Sequence, residues 1–288
     1  MNIKNILPLF IFSFFTIGLL AQDTDFGLSD PLQPGKIIYP SYIGAEIAFG
    51  QSLQQGDLNA EFCDCLPFKD GTGLRFDIGA QWESYFTNRV SYGIGLGYSF
   101  TNNLSAYQEV SDYQFLDNGN IIATVPVRTQ QTMKSTFSAI TLSPFIKLYP
   151  LRRLWVRITP RLEYVVGSSQ EQTLDLLQRK AVNRDGNEFE LSFDTSDPKL
   201  ANKKVSATRA IIQSSEFSSL RSLQFGLVSS IGFDFRIGSK VVISPNAQLN
   251  IPITSYSTQS DTFKILVWQV GLDVKFRLGK SETTPAKK

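Results

Sequence analysis

Residues 73–86, GLRFDIGAQWESYF, divide by alternate position into two chemically opposite sets. Leu74, Phe76, Ile78, Ala80 and Trp82 are apolar, whereas Arg75, Asp77, Gly79, Gln81 and Glu83 are charged, polar or without a side chain. Successive side chains of a β-strand point to opposite faces. The segment therefore reads as a strand whose two faces meet different surroundings.

The same alternation recurs along the chain. In 42–49 the apolar set is Ile43, Ala45, Ile47 and Phe49; in 90–100 it is Val90, Tyr92, Ile94, Leu96, Tyr98 and Phe100, opposed only by Gly and Ser. Further runs follow at 135–149, 154–167, 222–237, 241–253 and 263–278. Pro144 and Pro160 interrupt two of them, a cost to the strand ladder, but the alternation continues unbroken on both sides.

The connections alternate as well. FTNR, PLRR and GSK are short, as tight hairpins require; 51–72, 101–135 and 168–218 are long, with a smaller connection at 254–262. Short turns on one rim and long loops on the other are the plan of an outer-membrane barrel. Within the long loops, DNGN at 117–120 predicts a hairpin standing above the barrel and RDGN at 184–187 a second. TLDLLQRK, 173–180, is expected to form one or two helical turns.

A lipid-embedded sheet must satisfy every backbone group and so closes on itself. Its outward residues then meet hydrocarbon while its inward residues meet one another or water. Leu74, Phe76, Ile78 and Trp82 are thus expected outside, with Arg75, Asp77, Gln81 and Glu83 in the lumen. A secreted soluble sheet would carry more Lys and Glu, and less Gly and Ser, on its polar face. Tyr42, Tyr85, Phe86, Tyr98, Phe100, Tyr149, Trp155 and Trp268 lie near strand ends and are assigned to the aromatic girdles of the two interfaces.

The first residues agree with export. MNIKNILPLFIFSFFTIGLLAQ has a Lys near its start, an apolar run over 6–20 and a small residue at Ala21, the pattern of a signal peptide covering 1–21. A retained membrane helix would need a longer run and a basic flank after it. The expected organisation is a periplasmic segment at 22–40, a barrel at 41–278 and a polar tail at 279–288. Removing Lys4 with the signal leaves 27 basic residues against 26 acidic ones, a balance that predicts no nucleic-acid partner.

Parity places Glu46, Asp77, Glu83, Glu163, Asp234 and Asp273 inside, with Arg75, Lys147, Arg157, Arg161, Arg236, Lys275 and Arg277. An eight-stranded lumen is about wide enough for side chains alone, so near balance predicts an interlocked plug rather than a charge-selective conduit. The chain contains no His. A nucleophile would need another base, and no Ser-Lys arrangement or phosphate cradle is present; Asp77 and Glu83 are the pair considered for acid–base work, and no catalytic residue is assigned. No cofactor or metal is expected, because Cys63 and Cys65 are short of a structural zinc set. The two cysteines suit a loop clip, although bridging i to i+2 is strained, or pairing to another protein. Arg179, Lys180, Arg184, Lys199, Lys203, Lys204 and Arg209 mark the third long loop as a solvated surface or a phosphate contact.

The last strand holds QVGLDVKF, 269–276, in which a polar residue is followed by Gly two later and by hydrophobics spaced by two, the second aromatic. With the signal peptide and loop plan, this resembles the eight-stranded outer-membrane β-barrels of Gram-negative bacteria, the OmpA-type transmembrane domain and the PorT-like family in particular; here Phe276 is followed by a further segment ending in SETTPAKK. The resemblance implies that the barrel-assembly machinery reads this strand. The overall expectation is an all-β, closed antiparallel up-and-down barrel of about eight strands in the outer membrane. Its partners would be membrane lipid and lipopolysaccharide, and an envelope protein through the loops. The competing expectation is a small pore or a PorT-like accessory of a secretion apparatus.

Overall fold

A computed structural model describes residues 40–58, 67–87, 89–117, 120–182, 186, 188–193, 206–217 and 219–278. The strands are β1 (Ser41–Gln55), β2 (Gly71–Thr87), β3 (Val90–Asp117), β4 (Asn120–Leu148), β5 (Leu154–Leu176), β6 (Lys180–Val182), β7 (Glu188–Glu190), β8 (Arg209–Ser215), β9 (Leu223–Phe233), β10 (Phe235–Ile237), β11 (Val241–Pro252) and β12 (Lys264–Leu278). The signal peptide, the cysteines and the C-terminal tail lie outside the described residues.

Each strand from β1 to β5 pairs with the next, β5 pairs with β9, β9 with β11, β11 with β12, and β12 returns to β1. Asp234 separates β9 from β10, which keeps the same register on β11. The ring is closed by pairs running from Ser41↔Leu278 to Gln55↔Lys264, so every one of the eight crossings has two neighbours. Closure removes the sheet edges that lipid could not hydrogen-bond.

Exposure follows the alternation. Leu74, Phe76 and Ile78 are 53%, 37% and 49% exposed, whereas the intervening Arg75 and Asp77 are 1% and 7% exposed. Ile47, Leu96, Leu142, Ile158, Phe225, Leu249 and Leu272 continue the exposed apolar surface around all eight crossings. A continuous greasy exterior around a closed ring with a polar interior is soluble only in a bilayer. The chain is a transmembrane β-barrel of the outer-membrane type, with short periplasmic turns and long extracellular loops.

Pro144 and Pro160 lie on one rung. The β4–β5 ladder passes from Leu142↔Leu162 to Ile146↔Ile158, and in that register the two prolines face each other across the lapse. Pro144 still pairs in register with Ile94 on β3, and Pro160 with Leu227 on β9. The two missing donors are thereby confined to one place between one pair of strands.

The strands outrun the membrane. β3 and β4 have 28 and 29 residues, whereas a tilted crossing needs about 9–11. They pair as far as Asp117↔Asn120, so DNGN does turn a hairpin, but most of 101–135 is strand and not loop. At ~3.3 Å per residue, residues 101–117 carry β3 roughly 55 Å beyond Phe100 along its own direction. RDGN likewise lies between the paired β6 and β7. The helix expected at 173–180 is absent: β5 runs to Leu176, held by β4 on one side and β8 on the other.

Above the membrane β4 turns apolar residues inward among polar ones, whereas β3 keeps Leu104 and Val110 exposed with Thr101, Asn103 and Ser105 buried. On β4, Ile140, Leu142 and Ile146 are exposed and Thr141 and Lys147 buried; farther out, Val125, Val127, Met133 and Phe137 are buried while Arg128 and Lys134 are exposed. The change falls beside the register shift at Ser138/Ala139. The aromatic assignment also needs correction. Phe86, Tyr98, Phe100 and Trp268 face outward, but Tyr42, Tyr85, Tyr149 and Trp155 are at most 7% exposed and point into the lumen.

Candidate functional site in the barrel lumen

The inward charges assemble into two connected groups. Nearer the short turns, Glu83 on β2 accepts hydrogen bonds from Lys147 Nζ on β4 and Lys275 Nζ on β12, each at 3.0 Å. Ser91 Oγ and the Tyr149 hydroxyl reach its other oxygen at 2.6 and 3.1 Å. Asp234 accepts from Trp155 Nε1 at 2.8 Å and Ser244 Oγ at 2.6 Å, with Lys275 Nζ at 3.6 Å. Asp273 lies 3.7 Å from Lys147 and 3.6 Å from Arg157, and accepts from Asn246 at 3.0 Å. Arg157 also reaches Glu46 at 3.5 Å.

Two glycines make this packing possible. A Cβ on Gly93 would stand 2.4 Å from the Phe145 ring, and one on Gly232 2.3 Å from the Trp155 ring. Those rings in turn carry Lys147, 4.5 Å above Trp155 and 5.3 Å above Phe145, a cation–π contact that strengthens when desolvated. The Gly-rich inner faces thus accept large side chains from neighbouring strands.

Toward the loops, Arg75 and Asp77 on β2 meet Arg161 and Glu163 on β5 across the lumen. Arg75 bridges Asp77 at 3.0 Å and also Glu163; Arg161 bridges Asp77 and Glu163, each at 3.0 Å. The result is a ring of alternating charge. Tyr256, in the connection between β11 and β12, donates to Glu163 at 3.1 Å. Burial and the adjacent carboxylate hold its phenol above the ordinary tyrosine value, so it remains a neutral donor.

An apolar cap closes the lumen above this ring. Leu58 and Phe68 from the β1–β2 connection, Met133 and Phe137 from β4, Val165 from β5, Phe217 beyond β8, and Phe263, Ile265 and Val267 at β12 form one buried cluster. Phe217 and Phe263 stack at 6.3 Å, while Phe137 lies 5.1 Å from Tyr256. Below it, a cavity of about 20 Å³ is lined by Glu46, Arg157, Thr159, Arg161 and Gln248. That is room for about one water, not for a hydrated ion.

All six expected acids are ion-paired inside, and Arg75, Lys147, Arg157, Arg161 and Lys275 are buried with them. The other two expected bases are less enclosed: Arg236 is half-buried and Arg277 is exposed, because both sit where the strands reach the rim. Asp77 and Glu83 do not act as a pair; Asp77 is held by two arginines and Glu83 by two lysines. A carboxylate so engaged has no free role as a base. In the third long connection, Lys180 pairs with Glu188 and Arg209 with Asp175; Arg184, Lys199, Lys203 and Lys204 lie outside the described residues.

Sequence reasoning missed the neutral partners Ser91, Tyr149, Trp155, Ser244, Asn246 and Tyr256. Parity alone would have turned Trp155 inward, since it shares the face of Arg157. Glu83 meets Lys147 and Lys275 from 64 and 192 residues away, contacts that no local pattern encodes, whereas Arg75–Asp77 and Arg161–Glu163 pair two residues apart on one strand.

No protein-family model matches the sequence, and no curated protein sequence matches it. Among solved structures, the chain is similar to Neisserial surface protein A at 12% identity, with 83% of this chain and 97% of that one covered and a TM-score of 0.32. It is also similar to Ail, the attachment invasion locus protein of Yersinia pestis, at 12% identity, 83% and 99% coverage and a TM-score of 0.27. Outer membrane protein AlkL matches at 10% identity, 91% and 99% coverage and a TM-score of 0.33. The barrel stands on its own closed strand pairing and greasy exterior.

Proposed function

We propose that this protein is a non-conducting, non-catalytic barrel that holds a β-built platform above the outer leaflet for contact with a partner or a surface. The observation that carries this reading is the lumen: two ion-paired groups span its section beneath an apolar cap. A buried pair tolerates desolvation only when its remaining hydrogen bonds are satisfied, and Glu83, with four donors, meets that condition. Such a network favours rigidity over passage.

The platform extends β3, β4 and β5 and adds β8 and the β6–β7 hairpin. Val125, Val127, Ala181 and Leu191 form its own small core. A strand pair with that support projects a defined surface. Purified protein in a planar bilayer is expected to give no steady openings, and crosslinking from exposed positions such as Arg128 or Glu188 in native envelopes is expected to yield one recurrent partner. Steady unitary conductance would favour the small-pore reading instead. Recurrent crosslinks to a protein-export component would make the platform's role that of a PorT-like secretion accessory.

A further inference from the structure

The two ends of the barrel differ in exposed charge. At the loop end Asp70, Asp112, Glu188, Glu190, Glu216 and Asp261 are exposed, interspersed with basic residues such as Lys69, Arg128 and Lys134. At the short-turn end Arg89, Arg152, Lys240 and Arg277 are exposed, and Arg153 and Arg236 are half-buried. No carboxylate among the described residues is exposed there: Glu83 and Asp234 are buried and already bound to lysines.

These cations sit around the whole circumference, in the β2–β3, β4–β5 and β10–β11 turns and at the end of β12. Each has an exposed apolar neighbour. Phe86 at 70% precedes Arg89, Leu151 at 65% adjoins Arg152, Ile237 at 57% precedes Lys240, and Phe276 and Leu278 flank Arg277. Those neighbours continue the lipid-facing belt, so the charges lie at its lower boundary. Long basic side chains whose stems lie on apolar surface extend their charge to the interface. Phosphates of the adjoining leaflet occupy that depth.

We propose that the short-turn rim is a collar that binds the phosphate headgroups of anionic phospholipids in the leaflet it faces. This rests on the barrel crossing a bilayer and not on what its loops contact. Bound lipid would fix the barrel's vertical position while the platform on the other side engages its partner.

Two lipid-facing tryptophans allow each end to be read separately. Trp82 lies nearer the short turns and Trp268 nearer the loops. The full chain carrying W268F would report the short-turn leaflet, and the chain carrying W82F the other, by fluorescence quenching with brominated phosphatidylglycerol against brominated phosphatidylcholine, Trp155, buried in the lumen of both, adding a common background. At low salt the expected preference at Trp82 is about threefold or more for the anionic lipid, falling toward one in ~1 M salt. At Trp268 the expected ratio is near one. In the R89Q/R153Q/K240Q/R277Q chain the preference at Trp82 is expected to disappear. Equal ratios at both tryptophans, or a preference unchanged by the four substitutions or by salt, would overturn the proposal. So would a preference that appears only after deletion of residues 22–39.

Discussion

One strand carries both halves of the barrel's logic. The membrane part of β4 puts Ile140, Leu142 and Ile146 outside and Thr141, Ser143 and Lys147 inside; its outer part puts Arg128 and Lys134 outside and Val127, Met133 and Phe137 inside. The strand runs on between them through a register shift against β5 at Ser138/Ala139. What changes is the surrounding medium, so the same pleat serves a hydrocarbon exterior below and water above. The interior responds in the opposite sense: ions below, where a greasy exterior leaves polar groups only the lumen, and aromatic packing above, where the cap is an ordinary water-shielded core.

The strongest way to break this comparison is to unbalance the lower half. Glu83→Ala leaves Lys147 and Lys275 buried without their shared carboxylate and is expected to cost about 3–5 kcal/mol, read from urea titration of the folded barrel in vesicles by its gel-mobility shift. Phe137→Ala should cost a comparable ~3 kcal/mol by opening a cavity in the cap. Its signature would differ, because the ions beneath remain in place: conductance should stay absent while protease cleavage of the loop connections increases.

The exterior offers a smaller contrast. Leu142→Arg puts a charge on the lipid face and is expected to destabilise by ~2–4 kcal/mol near the bilayer midplane, in the same vesicle titration. Lys134→Ala, on the same strand face but above the belt, should shift stability by no more than ~0.5 kcal/mol. Similar costs at the two positions would mean that the belt does not end where β4 inverts.

This inversion also explains what could be read in advance. The eight crossings were legible because a lipid exterior enforces strict alternation over each of them. The same criterion failed over the outer part of β4, where Arg128, Gln130, Thr132 and Lys134 occupy the outward positions and Val125, Val127, Met133 and Phe137 turn inside, while on β3 Leu104 and Val110 stay exposed. The segment 173–180 was expected to form one or two helical turns, but Leu174 pairs with Gln131 and Ala210 in the sheet instead. The inward charges were legible by parity, and their balance pointed to a plug. Which acid meets which base across the lumen was not legible, because those contacts join strands distant in the chain, as those of Glu83 with Lys147 and Lys275 do. Tyr42, Tyr85, Tyr149 and Trp155 were misplaced because identity as an aromatic was allowed to outweigh parity.

The most direct test is a spin-label scan along β4, measuring collision with oxygen, which concentrates in lipid, and with a water-soluble nickel complex. Labels at Ile140, Leu142 and Ile146 should collide chiefly with oxygen, those at Arg128 and Lys134 chiefly with nickel, and those at Val127, Phe137 and Lys147 with neither. Nickel access at Leu142 matching that at Lys134, or oxygen access at Lys147 exceeding that at Ile146, would contradict a closed barrel with its ions inside.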